Sequence, residues 1–311
     1  MAILTITLPI FLLIGLGYLV TWRGLFTRDQ VRGLGIFVID LALPVLIFRL
    51  LSRQRLHDVL EWRYLLVYAA ASFAVLLGGF FYWRRSGHAR PNSAVRAFGM
   101  GASNTGFIGL TIATQFFGPQ VGVAVAMTFL VENLVMLPGL IILGHEPEDG
   151  AGGGAMAKQI GRGLIRSPLI IGIAAGAVAL LLGVQPVAPL AKAMDMLAAA
   201  SAPVALIAIG ASLVGLDTRG MAGSVVKITI GKLLLHPLLV FGMLMLVPIA
   251  NPDLRHAALL LAAVPMAGSY PIFGQRFREG PLAAATLLVA TATSFVTLNL
   301  VLWLISTGVI G

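Results

Sequence analysis

The architecture of this chain is set by one segment, Gly101-Ala102-Ser103-Asn104-Thr105-Gly106-Phe107-Ile108-Gly109-Leu110. It lies inside an apolar stretch from about residue 93 to 117, which is long enough to cross a bilayer at roughly 1.5 Å per residue. Its centre, however, consists of glycine, serine, asparagine and threonine, which weaken a helix and place polar groups at membrane depth. Irregular backbone is tolerated there only where it is buried in protein or lines a water-filled cavity. We therefore predict a broken helix that holds a solute.

The composition places the chain in a membrane. Of its 311 residues, 59% are hydrophobic and only 11% are charged, and the mean hydropathy is +0.97. A soluble domain carries about 25% charged residues, so a soluble core does not account for this composition. The apolar runs are continuous and longer than the alternating strands of about ten residues that form membrane barrels. We therefore predict an all-α polytopic membrane protein.

The excess of positive charge has a simple explanation in such a protein. The net charge is +9, but the basic residues lie between the apolar segments and form no aromatic-studded basic face. Positive loops on the cytoplasmic side explain them better than nucleic-acid binding does. Cysteine is absent, which excludes disulfides, thiolate metal sites and cysteine nucleophiles. We predict no nucleic-acid partner, no cofactor and no metal centre.

Loop signals divide the chain into ten predicted spans, at about 3–20, 31–51, 62–83, 93–117, 119–143, 168–184, 187–213, 221–247, 254–276 and 282–308. The longest connection has a glycine-rich centre that is typical of a flexible linker. It separates a first five-helix repeat (1–144) and a second five-helix repeat (168–311) by a linker (145–167). Lysine and arginine are more frequent in the loops on the side of the linker. This asymmetry predicts a cytoplasmic linker and both termini in the periplasm.

The two halves are predicted to be inverted repeats, because five spans reverse the polarity of the second half. Leu41-Ala42-Leu43-Pro44-Val45-Leu46-Ile47 in the second span matches Ala200-Ser201-Ala202-Pro203-Val204-Ala205-Leu206 in the seventh. The fourth and ninth spans also correspond, and their weak centres lie at 103–106 and 265–271. Paired, interrupted spans in corresponding positions are the best sequence indication of a transporter binding site.

At these residues the chain resembles the auxin efflux carrier family, in particular its bacterial members for malonate and related organic anions. The similarity rests on the run from Asn104 to Leu110, on Pro44 and Pro203, and on the five-plus-five layout. It implies a fold in which the fourth and ninth spans unwind and cross beside a scaffold, as in sodium–proton antiporters and bile acid symporters. It also implies a bacterial cytoplasmic (inner) membrane. The chain departs from the family at the second break, where Ser269-Tyr270-Pro271 replaces an expected asparagine.

The crossover of two broken helices is the predicted site for a small organic anion. Half-helix N-termini expose unpaired N–H groups and partial positive charge, which suit a carboxylate. Asn104 supplies an amide, hydroxyl groups lie on either side of it, and a glycine allows close approach of the substrate. The alternative is that Asn104 only caps its own half-helix. The predicted substrate-binding residues are Ser103, Asn104, Thr105, Gly106, Ser269, Tyr270, Asn133, Pro44 and Pro203.

Four ionisable side chains lie near mid-span, namely Asp40, Glu132, Lys232 and His236. Each needs a partner, a cavity or a neutral form, since a charge at that depth costs several kcal/mol. We expect Glu132 to face the substrate pathway and to change protonation or pair with a cation; the alternative is a static ion pair or hydrogen bond. Lys232 and His236 share a helical face, so they attract an anion, or Lys232 neutralises Glu132 or Asp40. Asp40 is expected to bond backbone groups freed by the proline one turn later.

Two pairs of residues are expected to shape the helices. Pro44 and Pro203 occupy equivalent repeat positions, where a proline kinks its span and frees a carbonyl. They serve either as simple packing kinks or as walls beside the crossover. Gly172 and Gly176 form a small-xxx-small pair that indicates close helix packing or a homodimer contact.

These patterns predict a transporter rather than an enzyme, because no hydrolase, phosphate-binding or metal-ligand motif is present. We expect secondary active transport of a small carboxylate by alternating access, in which the crossover domain moves against spans one, two, six and seven. The coupling ion is H⁺, carried by Glu132 or His236, or Na⁺, and the lipid bilayer is the surrounding partner. A sodium-coupled symporter is the alternative within transport, and a membrane sensor or a channel is the alternative outside it.

Overall fold

The computed structural model describes residues 2–53, 61–145, 162, 165–215 and 221–309, and the regular structure within these residues is helical. The centre of the predicted linker, residues 146–161, lies outside the described residues. The helices in chain order are α1 (Ala2–Trp22), α2 (Asp29–Ser52), α3 (Trp62–Arg85), α4 (Arg90–Gly101), α5 (Leu110–Phe117), α6 (Pro119–Gly144), α7 (Pro168–Leu181), α8 (Ala188–Ser212), α9 (Ala222–Leu246), α10 (Pro252–Ala263), α11 (Tyr270–Arg276) and α12 (Gly280–Ser306).

The described helices agree closely with the predicted spans. Seven of them are long and apolar enough to cross a membrane, namely α1, α2, α3, α6, α8, α9 and α12. Helix α7 is also apolar but has only 14 residues. The fourth and ninth predicted spans are each divided into two short helices, α4 with α5 and α10 with α11. Non-helical backbone at 102–104 and 264–269 separates these halves, so both predicted interruptions are present.

The chain forms two compact units that interleave along the sequence. The first unit comprises Met1–Glu61, Gly106–Met127 and Ala155–Val214, and the second comprises Trp62–Thr105, Thr128–Gly154 and Gly215–Gly311. Helices α1, α2, α7 and α8, which are the predicted spans one, two, six and seven, therefore belong to one unit. The unit boundary falls just after the first break, between Thr105 and Gly106 in the π-helical turn Thr105–Gly109. Each unit draws on both halves of the sequence.

In the first unit, α1 and α8 pack so closely that their backbones are in contact. A Cβ atom added at Gly17 would lie 2.1 Å from the carbonyl oxygen of Ile207. A Cβ atom added at Gly210 would lie 1.8 Å from the carbonyl oxygen of Ile14. Each helix thus presents a glycine to a carbonyl of the other, and only glycine permits this separation.

A second glycine contact joins α7 to α2. A Cβ atom at Gly172 would lie 2.6 Å from the carbonyl oxygen of Pro44, and one at Gly176 would lie 3.1 Å from the Cα atom of Phe48. The close-packing interpretation of this glycine pair is confirmed. Because α2 of the same chain covers both glycines, a homodimer would have to use other residues.

The two prolines predicted to act alike differ in their surroundings. Pro44 is buried and follows a π-helical turn at Phe37–Ala42 within α2. The wider turn accommodates a ring that would otherwise clash with the carbonyl four residues earlier. Pro203 is exposed and lies inside α8, which is helical from Ala188 to Ser212. The two prolines therefore differ in local structure, and their equivalence in the repeats stays a prediction.

The second unit is built around α10. Every residue from Ala257 to Ala263 is at least nine-tenths buried, so this C-terminal part of the half-helix is apolar and covered on all sides. Helix α3 contributes buried Tyr64 and Tyr68, whose rings are stacked with centroids 6.1 Å apart. This dense core surrounds the two helix breaks and fixes the backbone beside them.

Candidate functional site

The two breaks contact each other within the second unit. Helix α4 ends because Ala102 takes an extended conformation (φ −75°, ψ 137°). Helix α10 ends at Val264 (φ −66°, ψ 154°), because a residue before proline avoids helical angles and Pro265 follows. The N–H of Asn104 donates to the carbonyl oxygen of Pro265 over 2.8 Å. The fourth and ninth spans are therefore joined at their irregular centres.

Ser103 is the centre of a buried polar network beside this contact. Its backbone N–H donates to Glu132 Oε1 at 2.9 Å, and the hydroxyl of Thr105 donates to the same oxygen at 2.9 Å. Its own hydroxyl accepts from Lys232 Nζ at 2.7 Å and lies 3.0 Å from the Tyr68 hydroxyl. Ser103 thus links the glutamate and the lysine of this unit. A carboxylate at this position compensates the partial positive charge of free N–H groups at a helix break.

Lys232 is fully buried and fully paired. An ammonium group has three donors. They point to Ser103 Oγ at 2.7 Å, the carbonyl oxygen of Ala262 at 2.7 Å and His236 Nδ1 at 2.8 Å. The other ring nitrogen of His236, Nε2, lies 2.9 Å from Ser72 Oγ, within hydrogen-bond distance. The pair is a static arrangement of hydrogen bonds in which both side chains are 0% exposed.

Local helix geometry explains how these charges reach the network. Helices α6 and α9 contain π-helical turns at Glu132–Met136 and Gly231–Leu235, and each turn is followed two residues later by a proline, Pro138 and Pro237. The extra residue in a π turn moves the carbonyl that a proline ring would strike. These widened turns carry the glutamate and the lysine of the network. The site therefore depends on deviations from regular helix that the prolines impose.

Asn104 is the one residue of the site whose polar side chain has an unmet requirement. It is 2% exposed, and its Nδ2 atom has no hydrogen-bond partner among the described residues. Nor does the described part of the chain show a capping bond from this side chain to its own half-helix, so the capping alternative is not supported. A buried amide without a partner costs about 1–3 kcal/mol, which a bound ligand with an acceptor would recover.

Other predicted residues of the second unit lie around this network in different roles. Asn133 follows Glu132 in α6, and its Nδ2 donates to the carbonyl of Phe129 one turn earlier at 2.9 Å. Ser269 is partly buried at the start of α11. Tyr270 is 1% exposed and packs on the backbone of Gly99, where an added Cβ would lie 2.4 Å from its ring. The ring of Tyr270 therefore fills space between α4 and α11.

Four predicted residues belong to the first unit, namely Asp40, Pro44, Gly106 and Pro203. Asp40 is exposed in the π-helical turn of α2, and the described residues include no hydrogen bond to it. The structural role that we expected for Asp40, bonding backbone freed by proline, is therefore wrong. Lys232 was expected to neutralise either Glu132 or Asp40. Ser103 connects Lys232 to Glu132.

The sequence analysis missed a polar stripe on α3. Tyr64, Tyr68 and Ser72 are spaced by four residues and face the site from one side of the helix. Tyr68 donates to the carbonyl of Leu261 at 3.2 Å, and Tyr64 lies 2.8 Å from the hydroxyl of Thr128. The period-four spacing of hydroxyl groups in an otherwise apolar helix is a signal that could have identified them.

Comparisons with known proteins identify relatives that are described as membrane transport proteins. A family model described as "Membrane transport protein" matches residues 2–152 and 154–304. A protein named "Putative malonate transporter" from Rhizobium meliloti (strain 1021) is 30% identical, over 97% of this chain and 96% of that protein. A protein named "Uncharacterized transporter YfdV" from Escherichia coli (strain K12) is 26% identical, over 93% of each chain. The similarity extends across nearly the whole chain in every case.

Proposed function

The chain belongs to this family of membrane transport proteins, the auxin efflux carrier family, and from that premise we propose that it is a secondary active transporter of a small organic anion. The substrate class is a malonate-like dicarboxylate or another carboxylate. The proposal includes ten spans in two inverted repeats, a bacterial cytoplasmic membrane and both termini in the periplasm. The name of the Rhizobium meliloti relative supports the substrate class, and the family supports transport.

The observation that carries the proposal is the unpartnered amide of Asn104 where the two breaks meet. Its backbone is fixed by the bond to Pro265, and its side chain is 2% exposed. A substrate carboxylate that accepts from Nδ2 would satisfy this donor. Lys232 Nζ donates to the hydroxyl of Ser103, the residue before Asn104, and so supplies positive charge nearby. An amide donor close to a cation is suited to an anion and unsuited to a cationic substrate.

Alternating access is supported by the division of the chain. The second unit holds both breaks and the polar network, whereas the first unit holds the glycine contacts of α1 with α8 and of α7 with α2. Backbone-to-backbone packing of that kind favours a rigid body. We propose that the substrate-bearing unit moves relative to the first unit during transport. No nucleotide-binding motif is present in the sequence, so the proposal takes the energy from a gradient or from a partner protein.

Proton coupling through Glu132 follows from the charges at the site. Lys232 and Glu132 are bound to the same serine, so an ammonium and a carboxylate balance each other there. A proton bound by Glu132 would leave the positive charge of Lys232 for the substrate anion to balance. The protonated acid keeps one carbonyl oxygen, so the donors of Ser103 and Thr105 can stay bound to it. One proton would then be carried with each substrate molecule, and malonate uptake that is independent of pH would contradict this step.

The experiment that tests the site is a binding measurement on the purified Asn104→Ala variant, with malonate as the probe. We expect the Kd for malonate to rise about 10- to 150-fold, because one hydrogen bond to a charged group contributes about 1.5–3 kcal/mol. The thermal stability should be unchanged or higher, since the Nδ2 atom of this amide has no hydrogen-bond partner among the described residues. The matched control is Asn299→Ala, whose amide donates to the carbonyl of Phe295 within α12. Equal malonate affinity of the Asn104 variant and the wild type would refute the site.

Sodium coupling is the alternative, with freed carbonyls and Glu132 or Asn133 as oxygen ligands. It predicts that Na⁺ stabilises the wild-type protein against heat, and proton coupling predicts no such effect. A channel would pass current faster than a carrier turns over, and a sensor would bind malonate without moving it. Uptake into proteoliposomes with an imposed gradient separates both from a carrier.

A further inference from the structure

The break in α10 creates a place for a cation. Pro265 has no N–H, and Val264 is extended, so the last carbonyls of α10 lose their helical donors. Two of these carbonyls accept side-chain bonds instead, since Leu261 binds the hydroxyl of Tyr68 and Ala262 binds the ammonium of Lys232. The end of a helix carries partial negative charge, which favours a positive ligand at this point.

The groups around the ammonium of Lys232 resemble those around a small metal cation. A carbonyl oxygen and a hydroxyl oxygen lie 2.7 Å from Nζ, and the imidazole Nδ1 of His236 lies at 2.8 Å. The backbone N–H of Ser103 connects this centre to the carboxylate of Glu132. Hard cations take such oxygen ligands at about 2.3–2.6 Å, only slightly closer than an ammonium does. Every group in this set belongs to the second unit, and the lysine side chain is 0% exposed.

We propose that the ammonium of Lys232 is a tethered cation that occupies a monovalent-cation site, and that shortening this side chain opens the site to Na⁺. The inference rests on the proposed function, because it concerns the coupling ion of the proposed carrier. It states that this carrier does not need Na⁺. The lysine supplies permanently the positive charge that a co-transported Na⁺ would otherwise bring to the helix break. Na⁺ coupling is thereby replaced, and Glu132 is left to exchange protons.

The test measures thermal unfolding of purified protein in equal concentrations of NaCl and choline chloride, at one pH and without any carboxylate. The wild type should unfold at the same temperature in both salts. Lys232→Ala should be stabilised by Na⁺ by about 3 °C, the shift expected for roughly tenfold excess over Kd. Lys232→Met fills the space without opening it, and should show no Na⁺ effect. Lys227→Ala, an exposed lysine of the same helix, is the control for loss of positive charge.

A double variant identifies the anionic ligand. Adding Glu132→Gln to Lys232→Ala should abolish the Na⁺ shift, because the carboxylate is the charge that would hold the ion. A folded Lys232→Ala protein that responds equally to Na⁺ and choline overturns the proposal. If this variant is not recovered folded, the wild type decides, since stabilisation of the wild type by Na⁺ also overturns it. No outcome depends on malonate, so failure here is distinguishable from failure of the Asn104 site.

Discussion

Replacing Glu132 by glutamine or by alanine separates its charge from its hydrogen bonds. Both bonds to this side chain, from the backbone of Ser103 and the hydroxyl of Thr105, end on the single oxygen Oε1 at 2.9 Å. Glutamine has an oxygen for that position, so Glu132→Gln can keep both bonds and loses only the charge. Glu132→Ala leaves the N–H of Ser103, a residue that is 1% exposed, without its acceptor. An unsatisfied buried donor costs about 1–3 kcal/mol.

Two assays on the same purified variants measure the effect of the lost hydrogen bonds and the effect of the lost charge separately. Thermal unfolding should show the alanine variant less stable than the glutamine variant by about 1–3 kcal/mol. Malonate uptake into proteoliposomes should fall in the wild type as external pH rises, because Glu132 must be protonated before the anion is bound. Glu132→Gln imitates the protonated form, so its uptake should vary little with pH and should not respond to an imposed proton gradient. Asn299→Ala is the control for both assays.

Glu132 is assigned two separate roles, proton coupling and stabilisation of the helix break, and a different result would refute each of them. If Glu132→Gln takes up malonate with the rate and pH dependence of the wild type, Glu132 does not carry the coupled proton. If the glutamine and alanine variants are equally destabilised, the carboxylate is held by its charge and not by the two bonds to Oε1. The second result would leave the coupling hypothesis standing and would change the account of how the break is stabilised.

Two further predictions concern packing and a buried ion pair. Gly17→Ala places a carbon 2.1 Å from the carbonyl oxygen of Ile207, where ordinary contact begins at 3.4 Å, so we expect a loss of about 1–3 kcal/mol in thermal unfolding. Gly15→Ala in the same helix has no atom within 4 Å and should be neutral or slightly stabilising; equal effects would contradict the packing. Arg96 and Glu279 form an ion pair at 2.8 Å with both side chains largely buried, so Glu279→Gln should cost about 3 kcal/mol. Replacing both by apolar residues (Arg96→Met with Glu279→Leu) should recover part of this loss, and an additive loss would exclude the coupling.

The helix breaks were predictable from the sequence because their causes are local. A proline at 265 forces the preceding residue out of helical angles, and a run of small polar residues at 102–104 offers no side-chain packing to hold a helix. The bounds of the long helices were predictable for a similar reason, since apolar length must match the bilayer. The division into units was not predictable, because it passes just after the first break, within the fourth predicted span, and depends on which helices pack together.

The partners of the charged residues could not be obtained from the sequence. Asp40 and Glu132 look alike as single acidic residues near mid-span, yet the structure leaves Asp40 exposed and binds Glu132 to Ser103. Spacing places Lys232 and His236 on one face, but it does not show that Ala262 will present a free carbonyl to them. Such contacts join residues 29 or more positions apart, and they are fixed only when the helices pack.

A single device recurs where this chain departs from regular helix. Three π-helical turns, at Phe37–Ala42, Glu132–Met136 and Gly231–Leu235, are each followed two residues later by a proline, and each carries one ionisable side chain. A π turn adds one residue to the helix, so it changes the direction in which the following side chains project. A π turn before a proline costs little free energy. A regular helical turn there would already lose a hydrogen bond, and its carbonyl would clash with the proline ring. The prolines therefore do more than kink helices: in α6 and α9 they place opposite charges on the same serine, where the two broken spans meet.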